Sequence, residues 1–170
     1  MAYDAFLFFD AGDAIKVEGE TNDSVYGPKK AIAVYSFSWG LSNPSSGGHG
    51  GGMAAGKVSM GSLSIMKRVD TASAALATLC SNGGHQTKAT LVVRKAGGKA
   101  GQQDYLTYTL GEIFVESYQI SGSSGGDDYP TESVSFACGQ VSFDYKMQKP
   151  DGTLDAAKHF GWDQTTNKAV

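Results

Sequence analysis

Two stretches of strict alternation, one on each side of residues 121–128, restrict this chain to a sheet-based fold. Before the break, Ile113, Val115, Ser117 and Gln119 fall on one face of an extended strand. Phe114, Glu116, Tyr118 and Ile120 fall on the other. After it, Val134, Phe136 and Cys138 share one phase, whereas Val141, Phe143, Tyr145 and Met147 share the opposite one. The phase slips at Gly139-Gln140, where a β-bulge is expected, because glycine tolerates the extra residue. The break itself, Ser121-Gly122-Ser123-Ser124-Gly125-Gly126-Asp127-Asp128, is an open turn. Two long strands and a glycine turn specify a shape, not a chemistry.

The rest of the chain follows the same period. Residues 3–10 form a strand with aromatics on both faces, which implies cover on both sides, and residues 14–20 alternate as a half-buried strand. Over 31–39, Ala33, Tyr35, Phe37 and Trp39 oppose Ile32, Val34, Ser36 and Ser38, so the second face starts apolar and ends polar. Residues 58–69 and 87–95 add strands, and 159–163 a last short one. The period changes once. Ala72, Ala75, Leu76, Leu79 and Cys80 recur at helical spacing behind Asp70, and Asn82-Gly83-Gly84 closes them, which predicts one helix over about 71–82. Residues 40–57 are rich in glycine and irregular, and a loop of that length in a compact domain is functional or mobile. Eight to ten strands and one helix predict a mainly β chain: a single domain over 1–170, an antiparallel β-barrel of two sheets with one flanking helix.

Composition removes several function classes. Net charge is −3 with no basic run, and phosphate recognition needs clustered Lys and Arg, which argues against nucleic acid. No apolar run approaches the roughly 20 residues that span a bilayer, so no membrane insertion is expected. Asp4 stands at the start of the first strand where a signal peptide would carry basic residues; synthesis in the cytoplasm without a leader is the expectation. Cys80 and Cys138 sit at apolar positions, as buried thiols or as a disulfide.

A search for chemistry returns little. There is no Gly-x-Ser-x-Gly elbow, and His49, His85 and His159 are scattered over a loop, a turn and the tail. Asp127-Asp128 lack EF-hand spacing, and His49 lacks a neighbouring ligand, so no metal or cofactor is expected. No catalytic residue is assigned.

Several collinear stretches carry a family likeness. In order they are Phe37-Ser38-Trp39-Gly40, Gly56-Lys57-Val58, Met66-Lys67-Arg68-Val69-Asp70 and Val93-Arg94-Lys95-Ala96-Gly97-Gly98. Then come the 122–128 turn, Pro130-Thr131-Glu132-Ser133-Val134, Gln148-Lys149-Pro150-Asp151-Gly152 and Phe160-Gly161-Trp162-Asp163. Together they resemble the haemolysin-coregulated protein (Hcp) family of the bacterial type VI secretion system, over essentially the whole chain. The resemblance implies a ring of six subunits, a homohexamer, stacking into the inner tube of a contractile injection machine. Its partners would be a spike protein, a contractile sheath and small effector proteins held in the lumen. Export through the machine would replace a signal peptide. On this reading Ser36 and Ser38 are lumen candidates, because a polar half-face needs water or cargo. Asn43, Gly47, Gly48, His49, Gly50, Gly51, Gly52 and Met53 form a stacking or interface arm, and Gly125, Gly126, Asp127 and Asp128 a rim turn. The competing classes are a carbohydrate-binding β-sandwich of lectin type and a β-barrel hydrolase.

Overall fold

The fold is taken from a computed structural model, which describes residues 3–47, 53–96, 101–125 and 129–170. The strands are β1 (Asp4–Phe9), β2 (Ile32–Val34), β3 (Ser36–Ser38), β4 (Leu41–Ser42), β5 (Ser45–Gly47), β6 (Met53–Ala55), β7 (Ser59–Met60) and β8 (Leu63–Arg68). After the helix α1 (Ser73–Asn82) come β9 (His85–Ala96), β10 (Gln102–Ser121), β11 (Thr131–Tyr145), β12 (Lys158–Asp163) and β13 (Lys168–Ala169). One nine-stranded antiparallel sheet runs β13-β12-β11-β10-β9-β1-β2, with β8 also on β11 and β3 on β8. The fold is thus mainly β and antiparallel with one helix, as expected, but the sheet is not a closed barrel. Its ends are drawn into one body by the strand pair at 32–38, whose first half pairs β1 and whose second half pairs β8.

That hand-over corrects the expected phase of 31–39. Ile32 and Val34 are buried, Tyr35 and Ser36 are both exposed, and from there Phe37 and Trp39 turn to the core. Ser36 and Ser38 therefore do not share a face with Ile32 and Val34. A strand that changes sheets must offer its apolar side to a new neighbour, and the inversion at Tyr35 does this. A second correction concerns β10. A bulge at Glu116 shifts the register between Val115 and Ser117. Ile113 and Val115 are buried while Ser117 and Gln119 are exposed, so the four do not line one face.

The slip read at Gly139-Gln140 is present, but it is not an unpaired bulge. Leu110 lies opposite Val141 and Ile113 opposite Cys138, so β10 slips by the same residue. On β9 the buried positions jump likewise from Gln86 to Ala89. Glu112 takes up the strain with φ of 51°. Three neighbouring strands are thus creased along one line.

Residues 14–20 alternate in burial, with Val17 and Gly19 inward, yet form no ladder. They are held by the Gly19 and Thr21 amides, which donate to the Lys30 and Ala31 carbonyls (2.8 and 3.3 Å). The described residues of 40–57, expected as an irregular loop, carry paired backbone. β4 pairs β7, just past that stretch, and β5 pairs β6, which makes an arm of two short ladders. Helix α1 begins at Ser73 and ends at Gly83 with φ of 66° in the left-handed region. Asp70 does not cap it from the N-cap position. Its Oδ1 accepts the Ala72 amide (3.0 Å) in a turn just ahead.

The main core gathers Leu7, Ile32, Leu63, Ile65, Leu76, Leu79, Leu91, Leu110, Ile113, Val134 and Phe136, all fully or nearly fully buried. Each such side chain stabilises the fold by about 1.5–3 kcal/mol through burial. A smaller cluster of Phe6, Tyr26, Ala31 and Val92 covers the other side of β1, as its aromatics on both faces required.

Candidate functional site

The site is an outward sheet face lined with hydroxyls. On β8, Leu63, Ile65 and Lys67 are buried, which leaves Ser64, Met66 and Arg68 facing out. On β11, Glu132, Val134 and Phe136 are buried, and Thr131, Ser133 and Ser135 alternate with them. β3 adds Ser36 and Ser38 through its phase inversion, and β10 adds Ser117 and Gln119 through the Glu116 bulge. Register then aligns these side chains in ranks. Ser38 lies opposite Ser64, Ser64 opposite Ser135, and Ser135 opposite Ser117. The next rank is Ser36, Met66, Ser133 and Gln119. Ser64 Oγ and Ser135 Oγ are 2.8 Å apart and hydrogen bonded.

Charge is confined to the two ends of this face. At one end Arg68 is exposed, its guanidinium 5.3 Å from the ring centres of both Tyr35 and Tyr129. At the other, Glu116 accepts a hydrogen bond from Ser62 Oγ. Beyond Glu116, the surface sinks into a cleft of about 850 Å³ lined by His85, Gln86, Glu112, Phe114 and Cys138.

Directly beneath the hydroxyl face lies a buried ionic group. Lys67 Nζ contacts Glu132 Oε2 (2.5 Å) and Asp70 Oδ1 (2.8 Å), and donates to Ser73 Oγ (3.2 Å). Tyr118 Oη donates to Glu132 Oε1 (2.5 Å). Burial works to raise the Glu132 carboxyl, but hydrogen bonds from Lys67, Tyr118 and Ser73 outweigh it and hold the group below its ordinary value. For Asp70, burial wins over Lys67 and the carboxyl is pushed up. The group ties β8, β10, β11 and the start of α1 together, which fixes the strands whose outer residues form the face.

The residues singled out from sequence are distributed as follows. Ser36 and Ser38 belong to the face and are exposed. Asn43 is exposed between β4 and β5, and the backbone of Gly47 pairs with that of Met53 in the arm. Gly48, His49, Gly50, Gly51 and Gly52 lie outside the described residues. Gly125 is exposed in the turn after β10, and Gly126, Asp127 and Asp128 again lie outside the described residues. The sequence alone gives no reason to group Ser64, Ser117, Ser133, Ser135 and Arg68 as one face. Their alternation is written in the sequence, but only cross-strand register shows that they meet.

Among the described residues no arrangement for bond chemistry accompanies this face. His85 packs against Phe114 with tilted rings whose centres are 3.8 Å apart. His159 Nδ1 pairs with Asp144 Oδ1 (2.8 Å) on the exposed outside of β12 and β11. Cys80 and Cys138 are free thiols, and burial pushes the Cys138 thiol up to about 11, which disfavours a nucleophilic thiolate. Among the described residues no three His, Cys, Asp or Glu side chains converge as a metal set, and no helix is long and apolar enough to cross a membrane. Trp39 and Trp162 are half-buried with inaccessible indole nitrogens, so neither stands free as a sugar platform.

Comparison with known proteins identifies the family. The family model described as "Type VI secretion system effector, Hcp" matches residues 6–145. The protein hcp1 of Pseudomonas aeruginosa is 41% identical over 112 residues, which span 65% of this chain and 68% of that one. Among solved structures, one described as a type six secretion system protein superposes with a TM-score of 0.88 at 31% identity, covering 99% of this chain and all of the other. Hcp1 from Salmonella typhimurium superposes with a TM-score of 0.78 at 30% identity over the full length of both. The chain belongs to the Hcp family of type VI secretion system proteins.

Proposed function

We propose that this protein is an inner-tube component of a type VI secretion system. Six copies form a ring, rings stack into a tube, and the tube leaves the cell through the machine with small effector proteins in its lumen. The observation that carries this reading is the hydroxyl face. A sheet that presents Ser38, Ser64, Ser135 and Ser117 in one rank offers hydrogen bonds without charge, which suits the wall of a wet channel. The strands that bear it are backed by a core and a satisfied ionic group, so the wall is rigid. In this reading the arm at 40–57 reaches onto a neighbouring or stacked subunit, and the turn at 125–128 stands at a rim. The whole of 1–170 acts as one Hcp domain, and spike and sheath are its partners in the machine.

Light scattering on the purified protein tests the ring. A mass six times 17.8 kDa supports it, and a clean monomer overturns it. The wall assignment is tested by Ser38→Gln. The longer side chain should leave the ring intact and reduce the effector co-purified with it; unchanged retention would remove Ser38 from the wall.

A further inference from the structure

The hydroxyl face has a charged end that its serines do not explain. Arg68 ends the outward row Ser64, Met66, Arg68 on β8, and its guanidinium lies 5.3 Å from the ring centres of two exposed tyrosines, Tyr35 and Tyr129. Cation–π contact with two rings favours one placement of a planar cation without neutralising it. Among the described residues Arg68 makes no ion pair. Of the acids lining the same cleft, Asp70 is committed to Lys67 at 2.8 Å, and Glu20 is exposed to solvent. The middle of the face is uncharged, and the opposite end carries Glu116 and, past it, Glu112.

A guanidinium that makes no hydrogen bond or ion pair among the described residues suits a carboxylate, which it can hold through two parallel bonds. We propose that Arg68, in contact with Tyr35 and Tyr129, is a carboxylate-binding site on the wall, and that it selects passengers with an acidic surface. This rests on the ring reading. Six copies would set six arginines at one level of the lumen, with a ring of glutamates at the other. An acidic passenger is then attracted at the Arg68 level and repelled at the Glu116 level, so the wall orients its cargo as well as holding it.

The test uses the full-length protein and a fluorescent hexaglutamate peptide, with hexaglutamine as the neutral control. Wild type should bind hexaglutamate more tightly than hexaglutamine, and more weakly as salt rises from roughly 0.05 to 0.5 M. Arg68→Met keeps the stem beside the rings but removes the charge, and should weaken hexaglutamate binding by about fivefold and flatten its salt dependence. Tyr129→Leu, which removes one ring contact and keeps the charge, should lie between the two. Equal binding by wild type and Arg68→Met, or equal binding of the two peptides by wild type, overturns the proposal. Light scattering on the same samples separates it from the ring. A monomer that loses hexaglutamate on Arg68→Met keeps the carboxylate site and overturns the ring. A sixfold mass with unchanged peptide binding does the reverse.

Discussion

Lys67 on β8 and Glu132 on β11 are register partners, and their charged groups meet at 2.5 Å with both side chains fully buried. The pair stands behind the hydroxyl face, and everything in front of it depends on these two strands staying in register. Removal of one partner leaves the other buried and unpaired, which costs far more than the pair itself contributes.

Lys67→Met is therefore expected to destabilise the fold by about 3–5 kcal/mol in urea unfolding. The double variant Lys67→Met/Glu132→Gln should recover part of that loss, since Tyr118 can still bond the amide. A coupling energy of at least about 1 kcal/mol between the two sites is the expected result, and strict additivity would show that the contact contributes nothing.

A second ion pair governs acid stability. Arg94, buried on β9, holds Asp23 through hydrogen bonds to both carboxylate oxygens, and the Asp23 carboxyl is lowered to about 2, chiefly by the Arg94 hydrogen bond. A lowered carboxyl stabilises the fold above its unfolded value, near 3.8, and that contribution is lost as pH falls through about 2. Asp23→Asn should cost about 1–2 kcal/mol at neutral pH and flatten the stability profile between pH ~4 and ~2. An unchanged slope in that window would exclude the pair as its source.

His159 is expected to titrate above the ordinary histidine value, because Asp144 accepts its hydrogen bond and the Val170 carbonyl lies within reach of the other ring nitrogen. A raised histidine favours the folded tail at low pH, and that preference fades as pH rises through the raised value. Asp144→Asn should move the midpoint of the His159 ring resonances down, as read by NMR; no movement would show that Asp144 does not set it.

The arm can be broken without touching the core. A Cβ on Gly56 would stand 2.3 Å from the Pro44 carbonyl oxygen, the acceptor of the Gly56 amide. Gly56→Ala should leave thermal unfolding nearly unchanged and abolish ring-on-ring stacking seen by electron microscopy, as should deletion of residues 47–52. Tubes of normal length from either variant would detach the arm from stacking.

By itself the sequence determined that this is sheet. The period of two in β10 and β11, the single helix with its glycine stop, and the aromatics on both sides of β1 follow from backbone geometry and local burial, and each was legible residue by residue. The phase slip at Gly139 was legible for the same reason. What the sequence did not determine was which outward residues meet. Ser36 and Ser38 could be assigned a polar setting, but their reversal at Tyr35 arises because that segment leaves β1 for β8. The turning of Ser117 and Gln119 arises from the bulge at Glu116. Both are consequences of pairing with strands distant in the chain. Ser64, Ser135 and Arg68 became a site only when register placed them beside β3 and next to two tyrosines. Alternation sets which side of its own strand a residue takes, and only the tertiary pairing of strands decides its neighbours.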